Sequence, residues 1–253
     1  MGLAFAGWRF HTAGLLILWV ALSLGGCTAA IKSWSEESYR SPGFTKQDLR
    51  HGGVAVLPAI ILPETKGGRR DYAGQISSAP YTPQSTLTAS PADTGVENPE
   101  AHRLMTSEIL LSQMKARFPD INILSPGDSL KRINDEKLTE TYTRFNDNFS
   151  KTGLDSMTLK SFETALRVRY IFVSQGIVSE TKPESLLTFI WGFGRKTVIR
   201  TVKISAQIWD TAKGVQVWEG TGVGYSSLGA YEKPPLMEEL TISAVDSLLK
   251  NIP

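Results

Sequence analysis

Cysteine and histidine are scarce in this chain. Of its 253 residues, one is cysteine, Cys27, and three are histidine. A lone cysteine excludes an intrachain disulfide, and the scarcity of both residue types leaves few ligands for a soft metal ion. The charges nearly cancel, since 27 Lys and Arg residues stand against 25 Asp and Glu residues. This balance gives no electrostatic basis for nucleic-acid binding, so no nucleic acid is expected as a partner.

Familiar catalytic motifs are also missing. The chain has no Gly-x-Ser-x-Gly and no His-Glu-x-x-His. The stretch 192–197 lacks the spacing of a phosphate-binding loop, and the stretch 146–148 lacks the rest of a calcium loop. Asp135 and Glu136 are adjacent, so they point to different faces of a helix. We therefore predict a protein that is not an enzyme, with no catalytic residue, no metal site and no dissociable cofactor.

The first 26 residues are organised like a secretory signal. Arg9 and His11 precede an apolar run of about ten residues, which is too short to span a bilayer that needs about 20. Small residues and Cys27 follow this run. The segment resembles a bacterial lipoprotein signal, which implies cleavage before Cys27 and lipid on its thiol and on the new amino terminus. The alternative is an uncleaved core helix with an incidental cysteine.

Composition divides the remaining 227 residues into a tether and a domain. Residues 27–50 are polar and mixed, which predicts a lipidated cysteine followed by a flexible tether. Trp34 and Tyr39 interrupt it, and they either rest at the membrane interface or dock on the domain. Residues 51–253 predict a single α/β domain. Within it, residues 63–98 are rich in Gly, Ser, Thr and Pro, which predicts a long mobile loop.

Hydrophobic periodicity indicates a mixed α/β (α+β) fold. Early βαβ crossovers are followed by an antiparallel hairpin near the carboxyl terminus, which predicts a mixed sheet with helices packed on it. Gly214 occupies the hairpin position that favours a positive φ, and Trp209 and Trp218 are expected to pack across the two strands. The predicted strands lie at 54–62, 121–124, 168–178, 197–208 and 215–225; the predicted helices lie at 99–117, 126–133, a broken stretch ending near 166, and 236–249.

Several short motifs together resemble a known group of envelope proteins. They are Gly53-Val-Ala-Val-Leu-Pro58, Arg117-Phe-Pro119, Arg169-Tyr-Ile-Phe-Val173 and Ala206-Gln-Ile-Trp-Asp210 followed by Gly214. The chain resembles, over about residues 53–250, the periplasmic domain of lipoproteins similar to the curli secretion channel CsgG and the amino-terminal domain of TolB. The resemblance to lipoproteins implies anchoring at the periplasmic face of an outer membrane, since Thr28 and not aspartate follows the cysteine.

One connection is unusually apolar. Between the third and fourth long strands, residues 186–194 concentrate four large side chains in a segment that should be polar. They are Phe189, Ile190, Trp191 and Phe193. The simplest interpretation is that these side chains pack on their own domain. The alternatives are a partner surface, a membrane contact, or part of a pore wall, although Pro183 and nearby charges interrupt the strand pattern that a pore requires.

These observations predict a lipid-anchored, non-catalytic binding or assembly module of an envelope complex. Its expected partners are the outer membrane, through the lipid on Cys27, and a further envelope protein. One alternative is a secretion-channel subunit that forms a homo-oligomer, similar to CsgG. Another is a regulator of cell-wall synthesis similar to the LpoB lipoproteins, which would reach an enzyme through a flexible tether.

Overall fold

In a computed structural model of the chain, the described residues are 30–62, 99–152, 154–180, 197–228 and 234–253. Within these ranges, seven strands form one sheet and six helices pack against it. The strands are β1 (Ile31–Arg40), β2 (Val54–Val56), β3 (Ile60–Leu62), β4 (Ile123–Leu124), β5 (Tyr170–Glu180), β6 (Thr197–Asp210) and β7 (Val215–Leu228). The helices are α1 (Lys46–Gly52), α2 (Pro99–Arg117), α3 (Pro126–Asp135), α4 (Thr139–Thr152), α5 (Ser156–Leu166) and α6 (Met237–Leu249).

The sheet is mixed, as predicted. Its strand order is β1-β7-β6-β5-β2-β4, and β3 pairs with β5 beyond the short β2. Strands β2, β3, β4 and β5 run parallel to one another, whereas the pairs β5–β6, β6–β7 and β1–β7 are antiparallel. The parallel half follows from the early crossovers, and the antiparallel half follows from the hairpin at residues 210–214. Gly214 adopts φ +70°, which confirms the predicted turn geometry.

Local capping residues set the helix boundaries. Helix α2 ends at Arg117, two residues before Pro119, as predicted. At the start of α3, the Ser125 hydroxyl accepts a hydrogen bond from the Asp128 N–H at 3.1 Å. At the start of α5, one carboxylate oxygen of Asp155 accepts the N–H groups of the next turn at 2.9 and 3.0 Å. These bonds satisfy N–H groups that have no partner within the helix.

The sheet separates two apolar cores. On one face, α2 and α6 cover a core that includes Phe172, Trp218 and Leu240. On the other face, α3, α4 and α5 cover a core that includes Ile171 and Phe162. Neighbouring residues of β5 therefore point into different cores, because successive side chains of a strand alternate between faces. Burial on both faces explains the continuous apolar sequence of this strand.

Helix α6 lies unusually close to strand β7. A Cβ atom on Gly222 would lie 2.1 Å from the Ala244 carbonyl oxygen, and one on Gly224 would lie 2.3 Å from the Leu240 carbonyl oxygen. Cβ atoms do not approach other heavy atoms so closely, so only glycine at both positions allows this packing. The glycines let the helix backbone rest directly on the strand.

Two expectations from the sequence are wrong. The predicted tether is part of the fold from Ile31 onward, because Ile31–Arg40 forms β1 on the edge of the sheet and Lys46–Gly52 forms α1. Trp209 and Trp218 do not pack across the hairpin. The register shifts at Trp209, which pairs with Gln216, while Trp218 pairs with Ile208, so the two indoles face opposite sides of the sheet.

We expect Gly222→Ala to destabilise the protein by about 3 kcal/mol, because the new methyl group has no space against the α6 backbone. The measurement is the urea unfolding midpoint of the chain from residue 28 onward. Gly127→Ala is the matched control, since its Cβ would find one neighbour, the Ser125 hydroxyl, at 3.9 Å, and in helix α3 it should leave stability unchanged or raise it by up to about 1 kcal/mol. Equal midpoints for the two variants would contradict the close packing of α6.

Candidate functional site

The site residues predicted from the sequence lie outside the described residues. They are Cys27, Phe189, Ile190, Trp191 and Phe193. The predicted loop 63–98 also lies outside them. The structure does describe the strands from which these segments depart, and the strand ends fix where each segment begins or returns.

Five strand termini meet at one end of the sheet. They are the start of β1 at Ile31, the end of β3 at Leu62, the end of β5 at Glu180, the start of β6 at Thr197 and the end of β7 at Leu228. We call this the Ile31 end, and we call the opposite end, which carries the hairpin at residues 210–214, the turn end. The apolar segment within 181–196 therefore leaves and returns at the Ile31 end, and Cys27 precedes Ile31 by four residues.

Among the described residues, no helix covers one face of the antiparallel half of the sheet. Among the described helices, α6 packs on β1, β6 and β7, and it does so from one face. We call the opposite face of these three strands the open face. Its side chains are mostly half-buried and polar, and Ser205 and Thr221 share a hydrogen bond across β6 and β7 at 3.0 Å. Polar side chains on one face are typical of an antiparallel sheet with its other face on the core.

Strand β1 presents its aromatic side chains on the open face. Trp34 pairs with Val223 and Tyr39 pairs with Glu219, and the two aromatic side chains are 48% and 44% exposed. The register of β1 shifts between Glu37 and Tyr39. Without that bulge Tyr39 would face α6, because side chains alternate along a strand. The bulge therefore turns Tyr39 to the same face as Trp34.

Contacts on the opposite face hold β1 in place. The buried Trp218 donates its indole N–H to the Glu37 carboxylate and to the Asn251 carbonyl, both at 3.2 Å. Arg40 forms an ion pair with Glu37 and also donates to the Asn251 carbonyl at 3.2 Å. The Ser247 hydroxyl donates to the backbone carbonyl of β1 at residue 34 at 3.1 Å. These bonds fasten the edge strand to the carboxyl-terminal part of α6 and the residues after it.

A half-buried ion pair organises the turn end. Asp210, which is 1% exposed, accepts hydrogen bonds from the Arg169 Nε and Nη2 atoms at 2.8 to 3.2 Å. The same carboxylate accepts the N–H groups of residues 212 and 213 at 3.1 and 3.2 Å. The hydrogen bonds between Arg169 and Asp210 raise the pKa of the Arg169 guanidinium. The sequence identified Asp210 as a turn residue, and the structure adds a cross-strand ion pair that joins the start of β5 to the hairpin.

Metal-ligating side chains are not clustered in the described part of the chain. Within the described ranges, no three His, Cys, Asp or Glu side chains are grouped so that they could hold a metal ion. The described residues border at least two grooves. One, of about 250 Å³, is bordered by Arg132, Asp135 and Arg167. The other, of about 450 Å³, lies between α2 and α6 beside Ile242 and Asp246. None of the described helices is both long and apolar enough to cross a bilayer.

Shifted pKa values in this part of the chain have structural causes. Hydrogen bonds from the side chain and backbone of Thr45 lower the pKa of Asp48 at the start of α1. Hydrogen bonds from Thr158 lower the pKa of Asp155 at the start of α5. Burial lowers the pKa of His102 and raises that of Tyr142. Helix capping and desolvation account for these shifts.

Comparisons with known proteins give a loose similarity of fold. No family model matches the chain, and no curated protein matches it. It is similar to the PelC dodecamer from Paraburkholderia phytofirmans, with 12% identity and a TM-score of 0.36 over 86% of this chain and 96% of that one. It is also similar to the LpoB C-terminal domain from Salmonella enterica, with 10% identity and a TM-score of 0.33 over 72% of this chain and 86% of that one. At these values the similarity says nothing of function.

We expect Asp210→Ala to lower the free energy of unfolding by about 2 kcal/mol, because two turn N–H groups lose their acceptor and Arg169, which is 40% exposed, loses its charged partner. Urea denaturation measures the change. Asp120→Ala is the matched control, since Asp120 also pairs with an arginine, Arg50, but both side chains are about half exposed. Its effect should stay below about 1 kcal/mol. Similar losses in both variants would mean that the Asp210 pair has no special structural role.

Proposed function

We propose that this chain is a lipid-anchored, non-catalytic binding or assembly module at the periplasmic face of a bacterial outer membrane. The observation that carries the proposal is the lipoprotein-like segment that ends at Cys27, together with the start of β1 four residues later. Lipid on Cys27 supplies membrane affinity, since each buried CH₂ group contributes about 0.8 kcal/mol. More than one acyl chain is needed for stable anchoring, and the resemblance to lipoproteins implies lipid at both the thiol and the amino terminus.

The short connection to the anchor restricts where the domain sits. Three residues separate Cys27 from Ile31, so the two Cα atoms are at most about 14 Å apart. A domain on so short a connection lies against the membrane, with the Ile31 end directed toward it. The turn end then points into the periplasm. This placement leaves the open face at the side of the domain, where an envelope partner can reach it.

A binding role is favoured by the surface that the fold leaves open. Beyond the part of β1 nearest the membrane, the open face combines the exposed ring of Tyr39 with half-buried polar side chains of β6 and β7. Exposed Trp and Tyr are typical of interaction surfaces, because they bury much area with little loss of conformational entropy. The grooves at α3 and between α2 and α6 border charged or solvent-exposed side chains. They offer no obvious enclosure for a reaction.

The two alternatives are affected differently by this geometry. A regulator that reaches a distant enzyme needs a long tether, and residues 31–52 are built into the fold instead. A channel-forming homo-oligomer is the second candidate, because β5 ends and β6 begins at the Ile31 end. The apolar segment 186–194 lies between these two strands in the sequence. Its two connections to the sheet are therefore on the side that faces the membrane in our proposal.

Lipidation is tested by Cys27→Ser in a Gram-negative host. We expect the wild type in the outer-membrane fraction with an intact mass that includes the acyl chains. The serine variant should lose that mass and leave the outer-membrane fraction, because it has no thiol to modify. Thr28→Asp should keep the lipid but move the protein to the inner membrane, and Thr28→Ser is its control. A Cys27→Ser variant that stays in the outer-membrane fraction with unchanged mass would contradict lipid anchoring.

The channel candidate is tested by the native mass of the lipidated protein in mild detergent. A channel subunit should give a large complex of defined size, and Trp191→Ser should disperse it if the apolar segment forms subunit contacts. Thr188→Ser is the matched control, because it also introduces serine into this segment but removes no large apolar side chain. A monomer at all detergent-to-protein ratios would contradict the channel candidate and leave the binding module as the proposal.

A further inference from the structure

We propose that the first half of β1 contacts the phospholipid bilayer that carries the anchor, with the Trp34 side chain in the headgroup region. The inference rests on the proposed lipid at Cys27. It adds a specific orientation of the domain and a second contact with the membrane. The occupant of this part of the open face is therefore the bilayer surface itself.

The reach of the chain supports this contact. Trp34 follows Ile31 by three residues, which is about 10 Å along a strand. The connection from Cys27 to Ile31 spans at most about 14 Å, and the headgroup region is about 5 to 8 Å thick on each side of a bilayer. When this connection is not fully extended and β1 is inclined so that its open face turns toward the bilayer, the Trp34 side chain reaches the headgroup region. Tyr39 lies about 27 Å from Ile31 along the strand, so it stays beyond that region on the same inclined strand.

The chemistry of Trp34 also suits an interface. Two other tryptophans of the described residues use their indole N–H within the fold, where Trp209 donates to the Gln207 side chain and Trp218 donates to the Glu37 carboxylate. Trp34 instead places an apolar ring with a polar N–H on the open face, half exposed. Tryptophan is enriched at membrane interfaces because its ring enters the headgroup layer while its N–H remains hydrogen-bonded.

Charges are ordered along β1 in the direction that a membrane contact requires. Lys32 shares the open face with Trp34 and is nearer the Ile31 end, whereas Glu36 lies farther along the same face. Anionic lipids attract a cation close to the surface and repel an anion, and the effect fades within about a Debye length. The order Lys32, Trp34, Glu36 therefore favours contact at the Ile31 end and separation beyond it.

The test uses the lipidated mature protein in vesicles of phosphatidylethanolamine and phosphatidylglycerol. Trp34→Cys and Tyr39→Cys each introduce a thiol that accepts an environment-sensitive fluorophore, since lipid occupies the thiol of Cys27. The two positions share a strand, a face and a similar exposure, so Tyr39→Cys is the matched control. We expect brominated phospholipids to quench the label at position 34 at least about twofold more than the label at position 39.

A second measurement avoids the label. Brominated lipids should quench the intrinsic fluorescence of the unlabelled protein more than that of Trp34→Phe, because the variant lacks the indole at the interface. Equal quenching at positions 34 and 39, or none at position 34, would overturn the proposed contact. Emission at position 34 that changes with protein density but not with bromine would place a second copy there and would also overturn it.

The intact mass of the same preparations separates this inference from the proposed function. A lipidated protein that stays on the vesicles without quenching at position 34 contradicts the Trp34 contact and leaves the anchor unaffected. A protein that carries no lipid contradicts the proposed function, and the inference that rests on it is overturned with it.

Discussion

The close contact between helix α6 and strand β7 is the constraint on which the antiparallel half of the sheet depends. Gly222 and Gly224 remove the side chains that would otherwise hold the helix away from the strand. The helix then lies near enough for Ser247 to bond the backbone of β1, and for the Asn251 carbonyl to meet the Trp218 indole. Strand β1 is thus attached to the sheet by its ladder with β7 and by α6 and the residues that follow it. This double attachment fixes which side chains of β1 point away from α6 and onto the open face.

The parts of the fold that could be predicted are those with local signals. Helix α2 is predicted at Pro99–Arg117 because proline marks both its start and the region just beyond its end. Strand β6 is predicted because one of its faces is apolar and the other polar. Strand β1 could not be predicted from Ile31–Arg40, since neither of its faces is apolar throughout. What holds it lies far along the chain, 181 residues from Glu37 to Trp218 and 213 from Trp34 to Ser247.

The same distinction applies to the candidate site. Cys27 could be proposed as a lipid acceptor because the relevant pattern is continuous in the sequence. The turn at Asp210 was predictable from its neighbours, but its ion pair was not, because Arg169 is 41 residues earlier. The common orientation of Trp34 and Tyr39 depends on a bulge, and a bulge in a polar edge strand leaves no clear mark in the sequence. The part of the open face that β1 forms is therefore determined by tertiary structure.

The pairing of β1 with β7 also has a consequence for the order of folding. Ile31 pairs with Ser226 and Arg40 pairs with Trp218, so the first strand of the chain joins a strand close to its other end. Contacts of such long sequence separation form late, because a large loop must close before they gain any energy. When a chain crosses a membrane with its amino terminus first, β1 emerges before β7 and α6. It then has no neighbouring strand to pair with until they follow. The strand nearest the proposed anchor would then be the last to enter the sheet.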